Sequence, residues 1–257
     1  SPFDIRNGMT VLGIETATTT CGAAVVNEDG VQAEAHLHVP RVHARRLTPL
    51  VEAVLTHADL GPDDAPLPDR LDALDGLAVS MGPGSYTGLR IGVSTAKGWA
   101  WAAGCPLVGV STLRAYCARL LPVASPGDVV CGLIDARRDE VYAAAYRVTE
   151  PPGDNAGPTL REQANPMACS VDDLPDRLGP VGGHLWVVGS GGAKSRDVLT
   201  RLDIPQTIIP PGDLPPSAAW VARQGLPRLA AGDTDDLATF EPLYVKDVHA
   251  TPAPDPF

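Results

Sequence analysis

Three loops rich in glycine or in hydroxyl side chains are the best candidates for binding a phosphate or a nucleotide. They are residues 15–20 (ETATTT), 81–92 (MGPGSYTGLRIG) and 187–194 (VVGSGGAK), and each lies at the end of an apolar run that is typical of a strand. Hydroxyls and backbone N–H groups in such turns can bind anions, and a helix that begins there adds its positive N-terminal end. The candidate nucleotide-binding residues are Thr16, Ser85, Gly191 and Gly192.

None of these loops carries a standard nucleotide-binding or nucleophile signature. Gly88 is followed by Leu89 and Arg90, where a Walker A loop has Lys and then Ser or Thr. Ser85 lacks the G-x-S-x-G of a nucleophile elbow, and residues 187–194 do not spell G-x-G-x-x-G. For each loop, a plain turn that packs closely inside its own lobe stays open as the alternative.

The histidines give a weak signal for a metal site. His36 and His38 alternate along a predicted strand, so their rings share one face, and His43 follows closely. No acidic or cysteine ligand accompanies them, and no H-E-x-x-H motif occurs in the chain. We expect no bound metal.

A charged segment, residues 135–140 (DARRDE), forms the tip of a predicted hairpin. Its first residue, Asp135, closes a strand, which is a position from which a carboxylate can face Mg²⁺. A solvated turn with internal ion pairs is the other interpretation of the same residues.

A stripe of small residues is predicted on one helix. Gly88, Gly92 and Ala96 are four residues apart, which puts them on one face and lets another helix approach closely. Glycine costs a helix about 1 kcal/mol relative to alanine, so close approach must offset that loss. We predict that the stripe faces another subunit, with a helix over 41–58 beside it; packing inside the same lobe is the alternative. The predicted interface residues are His43, Leu47, Gly88, Leu89, Gly92 and Ala96.

The elements that position these residues predict two similar halves. Short apolar runs joined by short turns predict an antiparallel meander at the start of the chain, followed by alternating helices and strands. The pattern partly restarts in the second half with a hairpin. Predicted strands cover 10–14, 21–26, 31–39, 74–80, 106–110, 129–134, 140–148 and 185–188, and predicted helices start near 41, 85, 111, 193 and 217. Residues 149–163 are predicted to form a long exposed loop.

This order predicts an α/β protein with two lobes. We place one lobe at 9–110 and the other at 111–247, with the last helix packing back toward the first lobe. Residues 1–8 and 248–257 are expected to be flexible ends.

Composition narrows the classes of function. The net charge is -11, which argues against tight direct binding to nucleic acid, because phosphate contacts need Lys and Arg. The five cysteines are scattered without a C-x-x-C pair, so neither a zinc site nor a disulfide framework is indicated. No apolar run is long enough to span a membrane. We expect a cytoplasmic protein that does not bind a membrane.

Several segments together resemble the TsaB family of tRNA threonylcarbamoyladenosine biosynthesis proteins. The resemblance is strong over 11–146, weakens over 153–183 and returns in VVGSGGAK. The segment GPGSYTGLRIG is the most specific. The other matching segments are VLGIETATTTCGAAVV, HARRLTPLVEAVL, PLVGVSTLRA and IDARRDEVYAAAY.

This resemblance implies the duplicated fold shared by actin, sugar kinases and heat-shock ATPases (ASKHA, ribonuclease H-like). It also implies a non-catalytic, glycoprotease-like paralogue that binds the catalytic subunit TsaD, with the ATPase TsaE assisting and tRNA reached only through the complex. No cofactor of its own is implied, although a nucleotide at the interface with TsaD stays open. Because TsaB and TsaD share a fold, we expect the isolated chain to form a homodimer.

Two departures from catalytic relatives support the non-catalytic interpretation. TsaD-like proteins carry a metal-binding H-x-x-x-H after the strand that matches PLVGV, and here Thr112 and Tyr116 occupy those two positions. Glu15 stands where relatives of this fold use Asp, and we expect its extra methylene to move the carboxylate outward. The competing functions are an ATP-dependent transferase of this fold and a metallopeptidase.

Overall fold

The computed structural model describes residues 8–151, 153 and 157–246. Apart from Gly8, the predicted flexible ends lie outside the described residues. The first lobe contains β1 (Val11–Glu15), β2 (Cys21–Asn27), β3 (Gly30–Leu37), α1 (His43–His57), α2 (Leu67–Leu71), β4 (Gly76–Gly82), α3 (Tyr86–Ala103) and β5 (Leu107–Ser111).

The second lobe begins with a short helix and repeats the pattern. Its elements are α4 (Thr112–Ala118), β6 (Val129–Asp135), β7 (Glu140–Thr149), β8 (Thr159–Ser170), α5 (Leu174–Arg177), β9 (Leu185–Val188), α6 (Arg196–Thr200) and β10 (Gln206–Ile208). The last helix, α7 (Ala218–Ala230), follows the second lobe in the chain and packs on the first sheet.

Both lobes contain a five-stranded sheet with the same strand order. The first sheet runs β3-β2-β1-β4-β5, and the second, taken from its other edge, runs β8-β7-β6-β9-β10. In each sheet the first three strands form an antiparallel meander and the last two run parallel to the first. The repeated order confirms the predicted duplication and the ribonuclease H-like, actin-like class.

The prediction of an exposed loop over 149–163 is wrong at its C-terminal end. Strand β8 begins at Thr159 and pairs with β7 from the register Thr149↔Thr159 onward. Register shifts near Ala143 and Ala145 break the regular alternation of buried and exposed residues, which hid the strand from a period-two pattern. Its Pro166 is tolerated because β8 is an edge strand.

Helices pack on the faces of both sheets, and two of these helices join the lobes. Helices α1 and α3 pack on one face of the first sheet, and α7 packs on the other face. Contact with α7 is close, because a Cβ at Gly13 would lie 2.1 Å from the carbonyl oxygen of Ala218. Helix α4 packs on the second sheet and also contacts α7, so these two helices join the lobes. No helix in the described ranges combines the length and apolarity needed to cross a bilayer.

Candidate functional site

The first turn, residues 16–20, follows β1 and is closed by the start of helix α3. The Thr16 side chain is 0% exposed, and its Oγ1 donates a hydrogen bond to the Gly88 carbonyl at 2.9 Å. The Ser85 backbone N–H donates to the Ala17 carbonyl at 2.7 Å, while the Ser85 hydroxyl caps the helix by accepting from the Gly88 N–H. The hydroxyls of Thr16 and Ser85, both predicted to meet a nucleotide, therefore bond within the chain.

The small-residue stripe exists, but the first turn occupies it. A Cβ at Gly88 would lie 2.1 Å from the Thr16 carbonyl oxygen, and one at Gly92 would lie 2.1 Å from Thr16 Oγ1. Ala96 is fully buried in the core of the same lobe. The glycines are thus required because the turn's backbone and hydroxyl come closer than any side chain would allow.

The structure corrects the prediction that the stripe is itself a partner surface. The ring of His43 lies 3.1 Å from the Thr20 carbonyl through Nε2, and Leu47 and Leu89 are buried in the first lobe. Helix α1 does lie beside α3 and shares its core, as predicted. All six predicted interface residues are covered by the chain's own atoms. They are His43, Leu47, Gly88, Leu89, Gly92 and Ala96.

Glu15 ends β1 and turns its carboxylate inward. Only 1% of the residue is exposed, and Oε1 accepts a hydrogen bond from the Ala17 N–H at 2.8 Å. Burial raises the pKa of this carboxyl to about 7, although hydrogen bonds from Ser80 and the turn act in the opposite direction. The expected outward carboxylate is wrong, because the side chain folds back onto the turn and accepts the Ala17 N–H.

The third glycine-rich loop also packs tightly within its own lobe. Gly191 donates its N–H to the Leu133 carbonyl at 2.9 Å, and a Cβ there would lie 3.0 Å from Val141 Cγ1. A Cβ at Gly192 would lie 3.1 Å from Ile208 Cγ2. The predicted helix near residue 193 starts later, at Arg196, because turns fill the intervening residues. Close packing therefore accounts for both glycines.

The charged hairpin tip carries an ion pair. Lys194 Nζ lies 2.5 Å from Asp135 Oδ1 and donates a second bond to the Arg138 carbonyl at 2.9 Å. The lysine contact holds the pKa of Asp135 below its usual value. Arg137 and Arg138 adopt positive φ angles of 69° and 49° and are exposed. The solvated turn is the interpretation observed, but its ion pairs are not internal, because Asp135 pairs with Lys194 and Glu140 pairs with Lys246.

Two sets of residues are candidates for metal binding, and neither set points its hydroxyl or imidazole groups at a common metal position. Thr112 and Tyr116 lie one turn apart on α4 and are buried, and burial raises the pKa of the Tyr116 phenol well above its usual value. The rings of His36 and His38 are 4.7 Å apart, and His38 Nδ1 bonds to Thr20 Oγ1. Across the described part of the chain, no three His, Cys, Asp or Glu side chains group to hold a metal ion.

The outer face of α3 was missed by the sequence analysis. Tyr86 and Trp101 are 42% and 80% exposed, and Arg90 donates a hydrogen bond to the Tyr86 hydroxyl at 2.9 Å. The Tyr86 ring packs 5.3 Å from Tyr244, and Lys97 bonds to the Phe240 carbonyl, so the segment after α7 lies along this helix. The sequence does contain a signal for this exposed face, because the helical period places these residues opposite the buried small-residue stripe.

Comparison with known proteins places the chain in a family. Residues 35–173, more than half of the chain, match the family model of TsaD, described as tRNA N6-adenosine threonylcarbamoyltransferase. The tRNA threonylcarbamoyladenosine biosynthesis protein TsaB of Bacillus subtilis is 38% identical over 143 residues, which are 54% of this chain and 56% of that protein. TsaB of Escherichia coli is 38% identical over 142 residues, 55% of this chain and 57% of that protein. The chain belongs to the TsaB family.

The TsaB assignment agrees with the fold. A crystal structure from Pseudomonas aeruginosa, of an uncharacterized protein with similarity to peptidase YEAZ, matches with a TM-score of 0.72 and 24% identity. The match covers 93% of this chain and 100% of that one, and at this identity it shows the fold alone. The chain spans about half the length of the curated TsaB relatives it matches.

Proposed function

We propose that this chain is a non-catalytic subunit that binds a TsaD-type threonylcarbamoyltransferase and supports it in forming N6-threonylcarbamoyladenosine in tRNA. Family membership supports the pathway, because the curated relatives are named as biosynthesis proteins of this modification. The match to a TsaD family model supports a partner of the same fold.

The observation that carries the accessory role is the use of the two faces of helix α3. Its small-residue face holds the first turn, so a phosphate would have to displace the hydrogen bond between Thr16 and Gly88. Its opposite face exposes Tyr86, Arg90 and Trp101. Exposed aromatic residues and arginine are typical of protein interfaces. The helix is thus built to close a turn inside the chain and to offer a surface outside it.

Helix α4 supports the same role. Its Thr112 and Tyr116 occupy the positions at which catalytic relatives of this fold carry the metal-binding histidines. A hydroxyl is a poor metal ligand at neutral pH, and burial keeps the Tyr116 phenol protonated. This donor set does not suit a catalytic metal.

The remaining partners follow from charge and shared fold. With a net charge of -11 the chain meets tRNA through the complex, and a TsaE-type ATPase completes the assembly. The outer face of α3 also pairs two copies of the chain when TsaD is absent. Any nucleotide belongs at the interface with the catalytic partner and not in the closed first turn. Since the proposed substrate is tRNA, we place the subunit in the cytoplasm.

A matched pair of variants tests the surface. Trp101→Glu puts a charge on the exposed face of α3, whereas Val123→Glu changes a residue that is 61% exposed in the other lobe. With the TsaD-type protein of the same organism, measured by light scattering after size exclusion, we expect Trp101→Glu to weaken association by at least about tenfold. Val123→Glu is expected to associate like the unmodified chain. Equal association of all three proteins would refute this surface.

Turnover by the purified chain tests the non-catalytic role separately. We expect negligible ATP hydrolysis and no stoichiometric zinc or iron by elemental analysis, with threonylcarbamoyl transfer appearing only after a TsaD-type protein is added. ATP turnover that disappears in Thr16→Ala would instead favour an ATP-dependent transferase. A stoichiometric metal lost in His36→Ala or Tyr116→Phe would contradict the absence of a metal site.

A further inference from the structure

A groove between the lobes contains none of the three candidate phosphate-binding loops. Its volume is about 410 Å³, and it is bounded by the end of β5, helix α4, the start of β8 and the last turns of α7. This volume lies within the range of small-molecule sites, which favour the junction of two domains. Apolar side chains form much of its wall. They include Val110, Leu121, Leu160 and Pro227.

Arg114 supplies a cation in this wall that forms no ion pair with a carboxylate of the described residues. Its Nε donates to Gln224 Oε1 at 3.0 Å and its Nη2 to the Leu160 carbonyl at 3.2 Å, and its guanidinium lies 5.6 Å from the Tyr146 ring centroid. These partners are all neutral. Among residues 8–151, 153 and 157–246, its Nη1 has no hydrogen-bond acceptor and none of its nitrogens forms an ion pair.

Arg228, the second arginine that lines the groove, differs from Arg114 because it forms ion pairs. Arg228 pairs with Asp233 at 2.8 Å and with Asp235 at 3.3 Å, and it also donates to the Gly109 carbonyl at 3.0 Å. Its charge is therefore compensated and its donors are used. Of the described residues that line the groove, Arg114 alone offers both a free donor and an uncompensated charge to an occupant.

We propose that this interlobe groove binds a small organic anion, with its carboxylate, sulfonate or phosphate group on Arg114 and its apolar body against Val110, Leu121 and Leu160. A charge-assisted hydrogen bond at a half-buried guanidinium is stronger than one in open water, and the apolar wall adds burial of the ligand's body. Because both lobes line the groove, the bound anion holds α4 and β8 of one lobe against β5 and α7. Such a ligand links small-molecule binding to the relative position of the lobes.

The probe for the test is 8-anilinonaphthalene-1-sulfonate, an anion with a flat apolar body whose fluorescence rises in apolar surroundings. We expect one equivalent to bind, with methyl NMR shifts confined to Val110, Leu121 and Leu160. Arg114→Gln is expected to lower the affinity by about tenfold or more, since a hydrogen bond to a charged group contributes about 1.5–3 kcal/mol. Leu121→Trp, which fills the groove, is expected to lower it as well.

Arg223→Gln is the matched control, because Arg223 is exposed on α7, packs 5.0 Å from the Trp220 ring centroid and does not line the groove. It should bind the probe like the unmodified chain. The proposal is overturned if the probe does not bind, if Arg114→Gln and Leu121→Trp both bind it unchanged while remaining folded by circular dichroism, or if the methyl shifts fall outside the groove.

Discussion

The two lobes repeat one strand order but treat the acid at the end of their first strand in opposite ways. Glu15 ends β1 with 1% exposure, bonds to the N–H of its own turn, and has a pKa raised to about 7 by burial. Asp135 ends β6 with a side chain that is 51% exposed, pairs with Lys194, and has a lowered pKa. The same place in a duplicated fold can therefore hold a carboxyl that favours its proton or one that favours its charge.

The neighbouring helix causes this difference. In the first lobe, the glycine face of α3 admits the first turn, and Glu15 at the start of that turn is buried. In the second lobe, the turn between β6 and β7 is exposed at Arg137 and Arg138, and Asp135 accepts from the Arg137 N–H and from Lys194 while half of its side chain stays in contact with water. Packing of the turn, more than the choice between Asp and Glu, sets the charge state.

Opening the sealed turn should have the largest effect. Gly92→Leu places a side chain where Thr16 Oγ1 lies 2.1 Å from the added Cβ, so we expect a loss of more than about 4 kcal/mol or outright unfolding. The matched control, Gly98→Leu, sits on the same helix with nothing within 4 Å of its Cβ and should be neutral or stabilising by up to about 1 kcal/mol. Urea unfolding of both variants measures the difference. Similar stabilities would mean that the stripe does not hold the turn.

The raised pKa of Glu15 predicts a pH dependence with a defined sign. Its folded pKa of about 7 lies above the usual 4.5, so the folded state binds the proton more tightly, and this contribution is present below pH 4.5 and lost as pH rises toward 7. Glu15→Gln removes the ionisable carboxyl, so the stability of this variant does not change with titration at position 15. We expect its stability relative to the unmodified chain to increase by up to about 3 kcal/mol between pH 4.5 and 8.

Urea unfolding across this pH range measures the effect, and the difference between the two proteins cancels the other titrating groups. Asp135→Asn is the control from the second lobe. Because the pKa of Asp135 is lowered, its contribution changes below the usual value and its variant should run parallel to the unmodified chain above pH 5. A constant difference for Glu15→Gln would show that its carboxyl titrates normally.

Removing the ion pair of the second lobe should have a small effect. Lys194→Met leaves Asp135 exposed to water, and exposed pairs contribute about 1 kcal/mol or less. We expect a loss within that limit at low salt and almost none at 1 M NaCl, as measured by thermal unfolding. A loss as large as that of Gly92→Leu would contradict the contrast between a sealed and an open turn.

The smallest signal expected is binding of tRNA to the isolated chain. Arg137 and Arg138 are exposed, but the net charge of -11 opposes phosphate contact at physiological salt. Fluorescence anisotropy with labelled tRNA should show no saturation at micromolar protein. Submicromolar binding that is lost in Arg137→Ala would reveal a local basic site in the second turn, and loss in Arg45→Ala would locate it on α1 instead.

Local patterns were enough to predict most of the fold. The meander and the hairpin follow from apolar alternation, and Ser85, Ser111 and Ser217 each accept a backbone hydrogen bond as the N-cap of a helix. Strand β8 escaped because bulges interrupt its alternation, and β10 has only three residues.

The candidate site could be predicted only in part, because close approach is not a local property. The spacing of Gly88 and Gly92 shows that something comes near the helix, but not that it is the carbonyl and hydroxyl of Thr16 from another part of the chain. The direction of the Glu15 carboxylate likewise depends on the N–H of Ala17, which forms the bond only after the turn has closed.

The late position of α7 in the sequence determines which face of the first sheet is uncovered during translation. The face of the first sheet that carries Ala24, Ala78 and Val108 is covered by α7, whose residues are translated after the whole second lobe. While the ribosome is making residues 112–217, this face has no native cover and is a binding surface for chaperones or for other nascent chains. A truncated product that stops at Ser111 should therefore aggregate, whereas supplying residues 217–232 as a separate peptide should rescue its solubility.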